Sequence, residues 1–135
     1  VDDDTRAFNQ LMDAFSLPKT TEPEKQARKK AIRAATLEAM AVPLAVMETA
    51  FKALDLLEYQ AINGNPNSVS DAGVGALCAR SAILGAGLNV KINGSTLMDD
   101  PNALQMLSRA DELEILTIQK EAKIIGLVKK VITNT

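Results

Sequence analysis

Residues 21–64 read TEPEKQARKKAIRAATLEAMAVPLAVMETAFKALDLLEYQAING, and this stretch decides the fold. Thr21 followed by Glu24 is a capping-box pattern, with Pro23 tolerated in the first turn. Beyond it, apolar side chains recur at Ile32, Ala35, Ala39, Val42, Val46, Ala50, Leu54, Leu57 and Ala61. Steps of three and four sustained this long predict one long helix with a bundle-like seam. Pro43 lies inside it and predicts a kink or a break, because proline removes a backbone donor and crowds the preceding turn. Asn63-Gly64 supplies the stop.

The same reading extends in both directions. A first helix is predicted over Asp2 to Phe15, with Ala7, Phe8, Leu11, Met12 and Phe15 on one face. A third is predicted from Ser70 to Val90 or Asn93. It is crowded with small residues, among them Gly73, Gly75, Gly85 and Gly87. Each glycine costs about 1 kcal/mol in a helix interior, so close packing or close approach to a ligand has to compensate. Asp100-Pro101 opens the last helix, which runs to Thr133. Its predicted apolar face is Leu104, Leu107, Ile115, Ile118, Ala122, Ile125, Val128 and Ile132, with Lys120, Lys123, Lys129 and Lys130 as a solvated face. No run reads as a strand. The expectation is an all-α, up-and-down bundle of long antiparallel helices in one domain over residues 1–135. The long seams imply a homodimer or a higher oligomer.

Composition narrows the chemistry. The 135 residues contain no His, no Trp, one Tyr, three Phe and one Cys, with a formal net charge of −2. Histidine-based triads and zinc sites are excluded. Lone Cys78 allows no internal disulfide and reads as a small buried hydrophobe in a reducing compartment. The charge and the few aromatics argue against nucleic acid. No apolar run of about 18 residues and no signal peptide is read, so neither a membrane nor export is expected, and the expected location is cytoplasmic. Proton chemistry falls to Asp, Glu, Lys, Arg, Tyr or the backbone.

Two places gather polar groups beside special backbone. In residues 64–71, GNPNSVSD, Ser68 or Ser70 caps a helix whose first turn holds Asp71. The same asparagines, hydroxyls and carboxylate could instead hydrogen-bond a flat heterocycle. At the other place, Asp2-Asp3-Asp4 either complements the helix dipole or supplies a general acid/base. Asn89 and Asn93, one turn apart, are polar contacts between helices or ligand contacts. Lys19, Arg28 and Arg33 are cations for an anionic tail, or surface charges.

These segments carry a resemblance. VDDDTRAFNQLMDAFSLPK, TEPEKQARKKAI with AMAVPLAVME, GNPNSVSDAGVGA and GAGLNVKIN follow one another as in the cyclodeaminase/cyclohydrolase family of folate enzymes, and residues 1–94 resemble that family. The last helix matches only in character. The resemblance implies an all-helical homodimer. It implies closure of 5-formiminotetrahydrofolate to 5,10-methenyltetrahydrofolate with loss of ammonia, or hydrolysis of the methenyl bridge in sister enzymes. It implies no metal and no redox cofactor, a folate substrate, and a possible formiminotransferase partner. It places the catalytic aspartate on Asp2, with Asp4 as its neighbour. Asn65, Ser70 and Asp71 would hold the pterin, and Lys19 and Arg28 would meet the glutamate tail. It also implies an upstream helical segment with a Pro-Gly-Gly-Gly-Ser motif, which this sequence does not contain. With no initiator methionine before Val1, the chain reads as a processed or truncated piece. A non-catalytic helical module for oligomerisation or binding is the rival reading.

Overall fold

The computed structural model describes residues 2–133. Four α-helices form it: α1 (Asp2–Ser16), α2 (Glu22–Asn63), α3 (Val69–Gly94) and α4 (Pro101–Thr133). A single 3₁₀ turn at Pro66–Ser68 joins α2 to α3. No strand occurs among the described residues.

Cross-links between helices set the direction of each. Asn93 reaches Ala39, and the Cβ position of Gly75 lies against Leu57, so α2 and α3 are antiparallel. Lys91 pairs with Asp111 and Glu114, while Arg80 pairs with Glu121, so α3 and α4 are antiparallel as well. Arg109–Glu48, Lys120–Asp55 and Lys123–Glu58 climb together, so α4 returns parallel to α2. The three long helices share one core, and α1 lies against α2.

The predicted start of α2 is realised. Glu24 N–H donates to Thr21 Oγ1, while Glu24 Oε2 accepts from the N–H groups of Thr20 and Thr21 at 2.9 and 2.8 Å. The Thr21 N–H, first among these donors, holds the Glu24 carboxyl below its ordinary pKa, outweighing the opposing effect of burial. The helix then passes through Pro43 without a break. A proline at 43 cannot donate to Ala39 O, the acceptor four residues back. Asn93 Nδ2 donates to that carbonyl instead, at 3.1 Å. The neighbouring helix thereby satisfies the group that the proline orphans.

The core contains Met40, Met47, Leu54, Ile83, Leu113 and Ile124, each fully buried. Several faces are rotated from the sequence expectation. On α2 the buried line runs through Ala35, Thr36, Met40, Pro43, Met47, Leu54 and Ala61, while Val46 is exposed. On α1 only Ala7 and Ala14 are buried, and Phe8, Met12 and Phe15 face outward. On α4 the buried line is Ala103, Ala110, Leu113, Thr117, Glu121, Ile124 and Val128. Of the predicted α4 face only Val128 is buried, and Leu104, Ile115, Ile118 and Ile132 are exposed. The helices meet over large and small side chains alike, and α4 carries two adjacent apolar stripes. Both stripes hold large residues, and spacing alone pointed to the wrong one.

Close packing compensates most of the α3 glycines. The Cβ position of Gly73 meets Val128, that of Gly75 meets Leu57, and that of Gly87 meets Glu114 and Met47. Gly85 faces open space. Three other expectations are corrected. Cys78 is exposed, because it sits on the outward face of α3. Lys120 is mostly covered: it pairs with Asp55 and stands 5.5 Å from the Phe51 ring centroid. Finally, Pro66–Gly94 is long and apolar enough, by length and composition, to cross a membrane, although 28% of its most apolar stretch is buried inside the fold. The small Gly, Ala and Ser residues of α3 hide that apolar span from an eye looking for runs of large hydrophobics.

Candidate functional site

Most of the residues singled out in the sequence fall into three clefts, but Asp2 and Ser70 are not among the residues that line them. The first, about 430 Å³, lies where α1 crosses α2 and α3. Asp4, Phe8, Leu11, Asn89 and Asn93 line it. Two segments 85 residues apart in the chain thus supply a carboxylate and two carboxamides to one concavity. Asn89 is exposed, while Asn93 is half-buried with its amide nitrogen engaged by Ala39 O. Asp2 is exposed in the first turn of α1. Asp3 pairs with Arg6 at 3.0 Å, so part of the acidic start is held by a charge of its own helix.

The second cleft, about 250 Å³, holds Asn65, Ser68 and Asp71, with Leu57 and Gln60 of α2. Asn65 Oδ1 accepts the N–H of Asn67 at 3.0 Å and caps the 3₁₀ turn. Ser68 precedes α3 but makes no side-chain cap, which departs from the expectation. The 3₁₀ turn leads straight into the helix and donates its own N–H groups backward: Ser68 to Asn65 O, and Val69 to Pro66 O. That leaves little for a serine to satisfy. Ser70 and Asp71 are exposed.

The third cleft, about 490 Å³, is cationic. It lies between the α1–α2 connection, the start of α2 and the α3–α4 connection, and Lys19, Lys25, Arg28, Lys29 and Arg33 reach it. Phe15, Ile32 and Leu97 contribute apolar wall. Arg28 donates twice to Phe15 O, at 3.1 and 3.3 Å, and stands 5.9 Å from that ring's centroid. Its plane is therefore fixed before any anion arrives. Arg33 Nε donates to Asp100 Oδ2 at 2.5 Å. Asp100 is buried and also accepts the N–H groups of Asn102 and Ala103. Burial pushes its carboxyl up, but Arg33 and the two N–H groups outweigh burial and hold the pKa below the ordinary aspartate value. Lys25, Lys29 and the pairing of Asp100 with Arg33 were not found in the sequence. The charge run of residues 25–33 was visible there, but not the connection that folds back over it.

The three clefts are separate within one chain. Asp71 and Asn89 lie 18 positions apart on the same helix, which is about 27 Å at 1.5 Å per residue. Among the described residues, no group of three or more carboxylates and thiols is arranged to hold a metal ion.

The fold and its clefts define a class: an all-α bundle whose concave surfaces are lined by carboxylates, carboxamides and cations. The chain belongs to the formiminotransferase-cyclodeaminase family, whose model matches residues 1–112. It is 40% identical over 111 residues to a methenyltetrahydrofolate cyclohydrolase of Methylorubrum extorquens, covering 82% of this chain and 53% of the relative. It is 36% identical over 113 residues to a formimidoyltransferase-cyclodeaminase of Sus scrofa, covering 84% of this chain and 21% of the relative. A Gallus gallus protein of the same name is 31% identical over 130 residues, 96% of this chain and 24% of its own length. The chain thus spans about half the length of the bacterial relative and a fifth to a quarter of the animal ones.

Proposed function

We propose that this chain is the helical part of a folate enzyme that makes or opens the one-carbon bridge between N5 and N10 of tetrahydrofolate. The observation that carries the reading is the cleft in which Asp4 meets Asn89 and Asn93, in a chain of this family. In the cyclodeaminase direction, N10 attacks the formimino carbon, the N10 proton passes to the imino nitrogen, and a tetrahedral carbon bearing an amino group forms. A carboxylic acid then gives a proton to that group, the C–N bond breaks, and ammonia leaves with the methenyl bridge in place. The attacking nitrogen is tethered in the substrate, so positioning supplies much of the rate. Asp4, in the cleft, and Asp2, one helical residue pair away, are the candidates for that proton transfer. Asn89 and the free end of the Asn93 amide are suited to polar groups of the substrate. Asn65, Ser70 and Asp71 are suited to the amide and amino edge of the pterin. Lys19 and Arg28 are suited to a carboxylate tail, and the fixed guanidinium of Arg28 favours a bidentate contact.

A second reading has its own support, since the relative at 40% identity is named a cyclohydrolase. There water adds to the same methenyl carbon and the bridge opens to a 10-formyl group with release of a proton. Incubation with each folate separates the two, following methenyl absorbance and free ammonia. Absorbance rising with ammonia supports ring closure, and absorbance falling without ammonia supports hydrolysis. Asp4→Asn is expected to lower turnover at least 100-fold while Lys19→Ala raises KM with kcat nearly unchanged. Unchanged turnover in both Asp4→Asn and Asp2→Asn removes the carboxylates from the mechanism. No change in either folate leaves the rival reading, a helical binding module. The fused animal relatives make a formiminotransferase the natural partner to supply the formimino substrate.

A further inference from the structure

The Asp4 cleft and the cationic cleft are neighbours along α1. Asp4, Phe8 and Leu11 line the first, and Phe15 lines the second. These four stand at steps of four, three and four, so they form a single stripe about 60° wide around the helix. The facing walls keep the same order. On α2, Ala39 lines the first cleft and Thr36 the second, and Asn93 is followed in the same way by Thr96. A ligand with its reacting centre at Asp4 and an anionic end at Arg28 therefore lies along this stripe of α1, over an apolar stretch.

Phe8 stands in the middle of that stretch. The chain has three phenylalanines. Arg28 stands over the ring of Phe15 and Lys120 over that of Phe51, while Phe8 meets no cation among the described residues. Phe8 is 58% exposed, and Ile92 in the same cleft is exposed as well. An aromatic occupant covers such a ring best, because paired rings attract beyond what buried area alone gives.

The order of groups along α1 matches the order of groups in a folate. N10 is bonded directly to the aminobenzoyl ring, and the far end of that ring carries the glutamate. Phe8 lies one helical turn from Asp4 toward the cationic cleft, about 6 Å along the axis, and Phe15 lies about 16.5 Å from Asp4. We propose that Phe8 is a substrate-positioning residue that stacks on the aminobenzoyl ring, with Leu11 against the ring's edge. The stack sets N10 beside Asp4 while the tail reaches Lys19 and Arg28. The assignment rests on the folate reading above. The ring is held alike before and during the reaction at the bridge, so loss of the stack falls on KM and not on kcat.

The test has two arms. Phe8→Leu keeps an apolar side chain and removes the ring. It is expected to raise KM about fivefold with kcat within about twofold of wild type, and Phe8→Tyr to bring KM back within about twofold. Urea midpoints of both are expected to stay near that of wild type, because the ring is exposed. A residue that only braces α1 would move the midpoint, and KM would not follow aromaticity. The second arm reads the contact directly. The chain has no tryptophan, so Phe8→Trp places a single indole in the cleft. Titration with 4-aminobenzoylglutamate, which lacks the pterin and the bridge, is expected to quench its emission saturably. Free glutamate is expected to leave it unchanged, as is 4-aminobenzoylglutamate with Leu56→Trp, exposed on α2. An unchanged KM in Phe8→Leu, an equal KM in Phe8→Leu and Phe8→Tyr, or no saturable quenching in Phe8→Trp overturns the stacking role. If the wild-type chain turns over neither folate, the folate reading fails, and the quenching still decides whether Phe8 seats an aromatic ring.

Discussion

The Pro43–Asn93 contact makes a prediction that a thermodynamic cycle can decide. Replacing Asn93 by Leu keeps the branching at Cγ but leaves Ala39 O without a donor, because Pro43 has none to offer. An unpaired, partly buried carbonyl costs about 1–2 kcal/mol. For a chain of 135 residues, that is a fall in Tm of about 4 °C per kcal/mol. Pro43→Ala restores an N–H that reaches Ala39 O within the helix. In that background Asn93→Leu should cost at least about 1 kcal/mol less, whatever Pro43→Ala does by itself through lost packing of the buried ring. Urea unfolding of the four proteins, followed by circular dichroism at one protein concentration, gives the coupling. If Asn93→Leu costs the same in both backgrounds to within about 0.3 kcal/mol, the amide is not compensating the proline. Asn93 also borders the Asp4 cleft, so turnover can fall for a separate reason, and only the stability cycle tests this pairing.

Thr117 is fully buried with an unpartnered hydroxyl, so the near-isosteric Thr117→Val should raise stability by about 1 kcal/mol, read from the urea midpoint. Asp100 has a pKa lower in the folded chain than its unfolded value near 4, so its contribution is present above that value and lost as pH falls through the folded one. Asp100→Asn should therefore be less stable than wild type at pH 7 and lose less on acidification from pH 5 to pH 3, measured by thermal melts across that range. Arg109 grips Glu48 through two nitrogens at 2.6 and 3.0 Å, but both side chains are more than a third exposed. Glu48→Gln should cost under about 1 kcal/mol, and the difference should shrink in 1 M salt.

Helix positions were legible because their stops and starts are local chemistry. Thr21 and Glu24 cap α2 as read, Asp100 opens α4, and Asn63-Gly64 ends α2 in the expected place. Facing was less legible. Ala7, Ala14, Ala103 and Ala110 are buried, while Phe8, Phe15, Ile115 and Ile118 are exposed. Elsewhere large residues fill the contact, as Met40, Met47, Leu113 and Ile124 do, so neither size nor spacing by itself selects the buried face. The site was legible as residue types and not as a place. Asp4 joins Asn89 only because α1 folds back across α2 and α3, which no local pattern encodes. Arg28 and Arg33 were visible as charges, but their use of Phe15 O and Asp100 depends on contacts 13 and 67 positions away.

The glycines of α3 show how one composition serves two surfaces. Gly73, Gly75 and Gly87 let Val128, Leu57 and Met47 approach the helix backbone, and an alanine at Gly94 would crowd both Met40 and Leu107. These positions offset their lost helix propensity within the chain itself. Gly85 does not, since its Cβ position is open, and alanine there should add about 1 kcal/mol to the stability of an isolated copy. The urea midpoint of Gly85→Ala checks this: a rise is expected, and an unchanged or lower midpoint refutes the reading that Gly85 gives up helix propensity with no packing return inside the chain.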